Sequence, residues 1–354
     1  MARPLPEIVR IEWPPGHDAP SPATDAALDR AADVLRRGGL VAIPTETVYG
    51  LAADALDEAA VEGIFRAKGR PATNPLIVHV ADVAMARSLA APWPEMAERI
   101  AAALWPGPVT VVVPKAPSIP DVVTAGGPTV ALRCPAHPLA RRLIERSGIP
   151  LAAPSANRSE QVSPTTAHHV LESLGSKVGL ILDGGPCERG IESTVIDCTV
   201  TPPRILRPGP LTRSDLEAAV GGPVIWPAAD DAATTGPARS PGSRARHYCP
   251  KTALELPADP AARVQAHLAA GRRVGWLVLV ADERARALAG SRDLVAVPMP
   301  TDPAAYARQL YATLHALDQR QLDRIVADPP PADEAWRAVA DRLSRAAEPG
   351  ADGA

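Results

Sequence analysis

The sequence predicts an α/β protein of two domains, and three features carry that prediction. Apolar stretches of helical period alternate with short, largely β-branched runs along most of the chain. Between Gly221 and Pro250 that periodicity gives way to Pro, Gly, Ala, Asp and Thr, the composition of a linker. A chain of 354 residues also exceeds what one hydrophobic core usually serves.

Asp25–Leu35 has helical spacing and is stopped by Gly38-Gly39 ahead of a buried-type strand, Leu40–Ile43. A helix at Glu58–Ala67, a strand at Leu76–Val80, a helix at Met96–Leu104 and a strand at Val109–Val113 follow. Further strands are expected at Thr129–Leu132, Leu151–Ala153, Leu180–Leu182, Ser193–Ile196 and Arg204–Leu206, with helices at Pro138–Arg146 and Ala167–Leu174. We place the first domain at 1–217 and the linker at 218–251. The second, smaller domain, 252–354, repeats the alternation. Helices are expected at Ala261–Ala270, Glu283–Leu288, Tyr306–Leu317 and Ala335–Ala346, and strands at Val274–Val280, Leu294–Val297 and Arg324–Val326. Strict alternation predicts a Rossmann-like open parallel sheet. Gly271 precedes its first long strand and Gly275 falls at that strand's start, neither following it, so no phosphate loop is expected there.

Apolar residues at 46%, charged residues at 22% and a formal net charge of -3 describe an ordinary globular chain without broad attraction for nucleic acid or anionic membrane. No stretch is long and apolar enough to span a bilayer, and the start lacks a signal core, so the expected location is the cytoplasm. Cys134, Cys187, Cys198 and Cys249 are scattered without metal-ligand spacing; we expect reduced thiols and no metal site. With aromatics at 3%, a base-stacking surface is disfavoured.

Basic chemistry is concentrated instead. Arg66, Lys68 and Arg70 fall within five positions, and Gly69 among them with Pro71 and Pro75 after them hold the backbone outside helical geometry. Such crowding suits polyphosphate, each charge-assisted hydrogen bond contributing roughly 1.5–3 kcal/mol. It equally suits a solvated helix C-terminus. Taken alone, these readings are even. Thr45-Glu-Thr-Val-Tyr-Gly50 leaves a buried strand and presents hydroxyls, a carboxylate and a phenol where α/β sites gather, or else forms a capping turn with Tyr49 in the core. Ser155 and Asn157 follow another strand in the same manner. Arg133 and Arg207 stand at strand ends, placed to grip a carboxylate or phosphate. His79 lies in an apolar strand, where a lone His is more often a hydrogen-bonded core residue.

The ordered set of motifs resembles the YrdC-like family: Pro44-Thr-Glu-Thr-Val-Tyr-Gly-Leu51, Lys68-Gly-Arg-Pro71, Asn74-Pro-Leu-Ile-Val-His79, Trp105-Pro-Gly-Pro-Val-Thr110, Pro154-Ser-Ala-Asn157, Ser163-Pro-Thr165, Glu192-Ser-Thr-Val195 and Leu206-Arg-Pro-Gly209. The linker and second domain resemble its long two-domain threonylcarbamoyl-AMP synthases. The resemblance implies a twisted mixed sheet with helices in a catalytic first domain. It implies a nucleotidyltransferase that joins L-threonine, bicarbonate or carbon dioxide, and ATP, releasing pyrophosphate. The product would pass to a threonylcarbamoyl transferase complex that modifies the adenosine next to the anticodon of certain tRNAs. Matched motifs imply that Thr47, His79, Arg133 and Ser193 surround threonine. They imply that Lys68, Arg70, Asn74, Thr129, Ser155, Asn157, Ser163 and Arg207 surround ATP, with Lys68 and Arg70 catalytic and Mg²⁺ held mainly by the nucleotide. Ser240–Pro250 resembles a loop that covers the site, with Ser243 and Ala245 where the family has Met and Tyr.

Two other classes are weaker. An RNA-binding module fits poorly with net acidity and few aromatics, and no stable direct tRNA contact is expected. The carbamoyltransferases that contain YrdC-like domains carry acylphosphatase and zinc-finger regions that this sequence lacks.

Overall fold

The computed structural model describes residues 5–11, 21–226, 247–279, 283–288 and 290–347. Its contacts divide the chain into two compact units, Met1–Ser159 with Ser163–Ser243, and Glu160–Val162 with Arg244–Ala354.

The first unit begins β1 (Glu7–Arg10), α1 (Pro22–Arg36), β2 (Val41–Ile43), β3 (Gly50–Asp54), α2 (Glu58–Lys68) and β4 (Ile77–His79). It continues α3 (Val83–Ser88), α4 (Glu95–Leu104), β5 (Val109–Pro114), α5 (Asp121–Thr124), β6 (Thr129–Arg133) and α6 (Pro138–Ser147). It closes with β7 (Leu151–Ala152), α7 (Ala167–Leu174), β8 (Leu180–Asp183), β9 (Thr194–Asp197), β10 (Arg204–Arg207) and α8 (Arg213–Val220). The ten strands form one mixed sheet in the order β1-β8-β2-β3-β7-β4-β6-β5-β9-β10.

Side-chain alternation gives this sheet two faces. Ala42, Leu51, Val78, Leu132, Val111 and Ile196 face one large core. On the other face, Val41, Ile43, Leu151 and Leu182 pack with Leu28 and Leu35 of α1 and Leu143 and Ile144 of α6. Towards β4, β6, β5 and β9 that second face carries only a small apolar cluster of Ile77, Ala131, Val112 and Val195. His79, Thr129, Arg133 and Thr110 share the strand parity of these residues, so polar groups occupy the same face.

The sequence reading missed β1, β3, α3, α5 and α8. In β3, Gly-Leu-Ala-Ala-Asp lacks the β-branched and aromatic residues that mark strands, and only pairing with β2 and β7 makes it one. Helix α1 also starts earlier than apolar spacing suggests, at Pro22 instead of Asp25. Ser21 caps α1 by accepting from the Thr24 amide at 3.2 Å, and Pro22 takes the first helical position.

The second unit contains β11 (Leu254–Glu255), α9 (Pro260–Ala269), β12 (Val274–Val278), α10 (Glu283–Leu288), β13 (Leu294–Pro298), α11 (Pro303–Asp318), β14 (Arg324–Ala327) and α12 (Arg337–Ala346). Its four strands are all parallel, in the order β11-β14-β12-β13. Val264, Val274, Trp276 and Val326 centre its core. Tyr248 is buried in this unit, with its ring 5.8 Å from that of Tyr311 and the Arg342 guanidinium 5.0 Å from its centre. Ser240–Arg246, including Ser243 and Ala245, lies outside the described residues.

Candidate active site

Helix α2 delivers the first cations. Asp57 caps its start, accepting from the Ala59 amide at 2.9 Å, and Gly69 ends it at φ 62°, a left-handed turn that suits glycine. Lys68 and Arg70, on either side of that turn, are 2% and 7% exposed, whereas Arg66 stays on the solvent face beside Glu62 at 3.1 Å. The solvated-helix-end reading therefore holds for Arg66 alone. Lys68 Nζ donates to the carbonyl oxygens of Ser155 and Asn157, each at 2.5 Å. Burial and then the Arg70 charge push the Lys68 ammonium well below its usual range. Arg70 donates from Nε to the Asn74 carbonyl at 3.2 Å and from Nη2 to the Pro75 carbonyl at 2.8 Å, so it shapes the turn that carries Asn74.

A second group gathers around Arg133. His79 and Arg133 are direct register partners in the parallel pair β4 and β6. The Arg133 guanidinium donates from Nη1 to Thr47 Oγ1 at 2.9 Å and from Nε to the Gly107 carbonyl at 3.3 Å. Its Nη2 lies 2.7 Å from Glu46 Oε1 in an ion pair whose two side chains are each 4% exposed. Thr45 locks the intervening loop: its hydroxyl donates to the Val48 carbonyl at 2.6 Å and accepts from the amides of Thr47 and Val48, both at 3.2 Å. With that proton committed, the Thr47 hydroxyl donates to Thr45 across 2.8 Å and keeps a lone pair for Arg133.

Electrostatics in this group are set by burial and by one permanent cation. Burial raises the Glu46 pKa, but the Arg133 charge, helped by the amides of Ala136 and Glu46, outweighs it and holds the carboxyl below its usual value. The Arg133 guanidinium and these two amides approach the carboxylate, though none meets strict hydrogen-bond geometry at either Glu46 oxygen among the described residues. Burial, then Arg133, pull the His79 ring down to about 3 against the opposing pull of Glu46, so the ring is neutral. Its Nδ1 is buried without a hydrogen-bond partner among the described residues.

A third group is built where β9 meets β10. Arg207 donates to the Ser193 carbonyl from Nε at 3.2 Å and from Nη2 at 3.0 Å, and Nη2 also reaches the Ser193 hydroxyl at 3.2 Å. That hydroxyl is 2.8 Å from Thr110 Oγ1. Gly209 permits the approach: a Cβ there would stand 2.2 Å from the Thr194 nitrogen. Next to Ser193, Glu192 accepts from the Ser163 hydroxyl at 2.6 Å. The structure thus joins Thr47 to Arg133, Lys68 to Ser155 and Asn157, Arg70 to Asn74, and Ser193 to Arg207. Thr129 stands at the start of β6 opposite Pro114 and makes no side-chain hydrogen bond to another expected site residue.

Sequence reasoning assigned no role to Glu46, Glu192 or Thr110. Each lies inside a motif that carried the resemblance, but polar type alone does not show which side chain is buried. All four cysteines are free. Among the described residues no helix is long and apolar enough to cross a membrane, and no group of three or more His, Cys, Asp or Glu gathers that could hold a metal ion.

A mixed sheet carrying three buried arginine- or lysine-centred clusters, followed by a separate parallel α/β unit, defines the class. The family model for Sua5, YciO and YrdC, described as "Telomere recombination", matches residues 33–209. A second model, "Threonylcarbamoyl-AMP synthase, C-terminal domain", matches residues 211–348. The threonylcarbamoyl-AMP synthase of Pyrococcus abyssi is 43% identical over 321 residues, spanning 89% of this chain and 92% of the relative. That of Bacillus subtilis is 41% identical over 330 residues, spanning 91% and 93%. The crystal structure of P. abyssi Sua5 complexed with L-threonine aligns with a TM-score of 0.83 at 39% identity, covering 96% of this chain and 97% of that one. The chain belongs to the Sua5/YciO/YrdC family, in its long form with the synthase C-terminal domain.

Proposed function

We propose that this chain is an L-threonylcarbamoyladenylate synthase, a nucleotidyltransferase that makes threonylcarbamoyl-AMP from L-threonine, bicarbonate or carbon dioxide, and ATP. The deprotonated threonine amine adds to carbon dioxide with loss of a proton, or to bicarbonate with loss of water; the carbamate oxygen then attacks the α-phosphorus of ATP, and pyrophosphate leaves. No enzyme nucleophile is needed. Catalysis rests on orientation and on stabilising charge over the phosphates. The observation that carries this reading is the Arg133 guanidinium, buried and fixed by Thr47 and the Gly107 carbonyl, in a chain alike over nearly its whole length to a structure holding L-threonine.

Arg133 is positioned to take the threonine carboxylate, with Thr47, His79 and Ser193 around the rest of that substrate. Lys68, Arg70, Asn74, Thr129, Ser155, Asn157, Ser163 and Arg207 form the ATP side. ATP enters as its magnesium complex, with the ion held mainly by phosphate oxygens. Work would be done in the cytoplasm, and the product passes to the transferase complex that modifies tRNA.

The test is pyrophosphate release with ATP and bicarbonate across the amino acids, with mass detection of the adenylate. Release that depends on threonine, with the threonylcarbamoyl adenylate as product, is expected. Release indifferent to the amino acid overturns the reading.

A further inference from the structure

A buried carboxylate stands inside the proposed threonine pocket with no assigned task. Glu46 is fixed between Thr45 and Thr47, and its own carbonyl accepts from the Arg189 amide at 2.7 Å. Its side chain is 4% exposed; the amides of Ala136 and Glu46 lie near it, and its one charged partner among the described residues is Arg133 at 2.7 Å. A carboxylate withdrawn from water this far is costly unless a cation compensates it.

The titratable groups around Glu46 leave that duty to one residue. His79 is neutral, with its ring at about 3. Burial likewise depresses His137, despite the pull of Glu46. Cys134 is pushed up to about 11 and Cys187 further, both chiefly by burial, so neither thiol adds charge near neutral pH. Arg133 is the permanent cation of the group. Glu46 and Arg133 cancel each other in their ion pair. A threonine zwitterion whose carboxylate engages Arg133 leaves Glu46 short of its counter-charge, and the substrate's own ammonium is the group that supplies it. The buried charge then sums to zero before and after binding.

We propose that Glu46, now ion-paired with Arg133, is the residue that receives the α-ammonium of threonine and selects for it. This rests on the threonine reading above. Glu46 thereby sets where the nitrogen sits, and it makes binding conditional on a substrate that carries both charges.

The test compares binding of L-threonine with that of 2,3-dihydroxybutanoate, in which a hydroxyl replaces the ammonium, by titration calorimetry on the full chain. Wild type is expected to prefer threonine by at least about 100-fold, the scale on which sites built around a polar group reject its absence. Glu46→Gln is expected to cut that preference at least about tenfold by weakening threonine far more than the analogue. A purely structural role would weaken both ligands alike, so an unchanged ratio in Glu46→Gln overturns the proposal. Should that variant fail to fold, Glu46→Asp carries the test: retained selectivity with weaker binding is expected, and equal affinity for both ligands overturns it. Wild-type protein that ignores threonine altogether overturns the threonine reading itself, a result distinct from an unchanged ratio.

Discussion

Lys68 Nζ lies 2.5 Å from the carbonyl oxygen of Asn157, and the same ammonium holds the carbonyl of Ser155 at the same distance. A helix end and the loop after β7, far apart in sequence, are therefore fastened by one cation. Truncation in Lys68→Ala leaves both buried carbonyls without their donor. Expected consequences are a stability loss of roughly 1–3 kcal/mol in urea denaturation and a fall in pyrophosphate release of at least about 100-fold. Wild-type turnover would remove Lys68 from the site.

Arg133→Ala isolates a buried carboxylate. Removing one member of such a pair costs roughly 3–5 kcal/mol at neutral pH, because Glu46 must then either hold an uncompensated buried charge or take up a proton against solution pH. The double variant Arg133→Ala with Glu46→Gln is expected to recover much of that stability while binding no threonine. Denaturation midpoints of the two variants, with calorimetry on the double variant, check both halves.

Acid sensitivity follows from His79. Its ring binds a proton near pH 6.5 in an unfolded chain but only near 3 in the fold, so between those values the unfolded state holds the extra proton. Stability then falls as pH drops through this window, by up to about 1.4 kcal/mol per pH unit for this single group. Glu46 acts with the same sign at the lower end, since its depressed pKa contributes stability that is lost as pH falls through the folded value. Urea midpoints measured from about pH 7 to about pH 4 should decline, and His79→Gln should flatten the slope above about pH 5.

Gly209 offers a test of close approach. A Cβ there meets the Thr194 nitrogen at 2.2 Å and the Ser193 carbonyl carbon at 2.6 Å, both backbone atoms that cannot swing aside. Gly209→Ala is expected to destabilise by roughly 1–3 kcal/mol and to weaken substrate binding through the displaced contact between Ser193 and Arg207. Gly126→Ala, with φ +77° and no atom within 4 Å, serves as the contrasting control in which backbone strain acts without a clash.

Much of the fold is legible from patterning. The buried strand Val109–Pro114, the helix Glu58–Lys68 and the alternation in the second unit all carry strong local signals. Strand Gly50–Asp54 does not, because its residues have low β-propensity and its extended form is imposed by neighbours on both sides. In the same way, Thr47, His79, Arg133 and Arg207 could be singled out by motif, whereas Glu46 stood in the open within one of those motifs without a role.

Sequence alone determined that the chain is α/β and that its unusual polar residues cluster in a few short segments. Local propensity and period suffice for that, since they act over a handful of residues. Only the tertiary structure decided that Lys68 and Arg70 turn inward while Arg66 turns out, and that Arg133 meets Glu46 and Thr47. Burial and charge pairing depend on which strands lie side by side in the sheet, and that order is set by packing between segments distant in the chain.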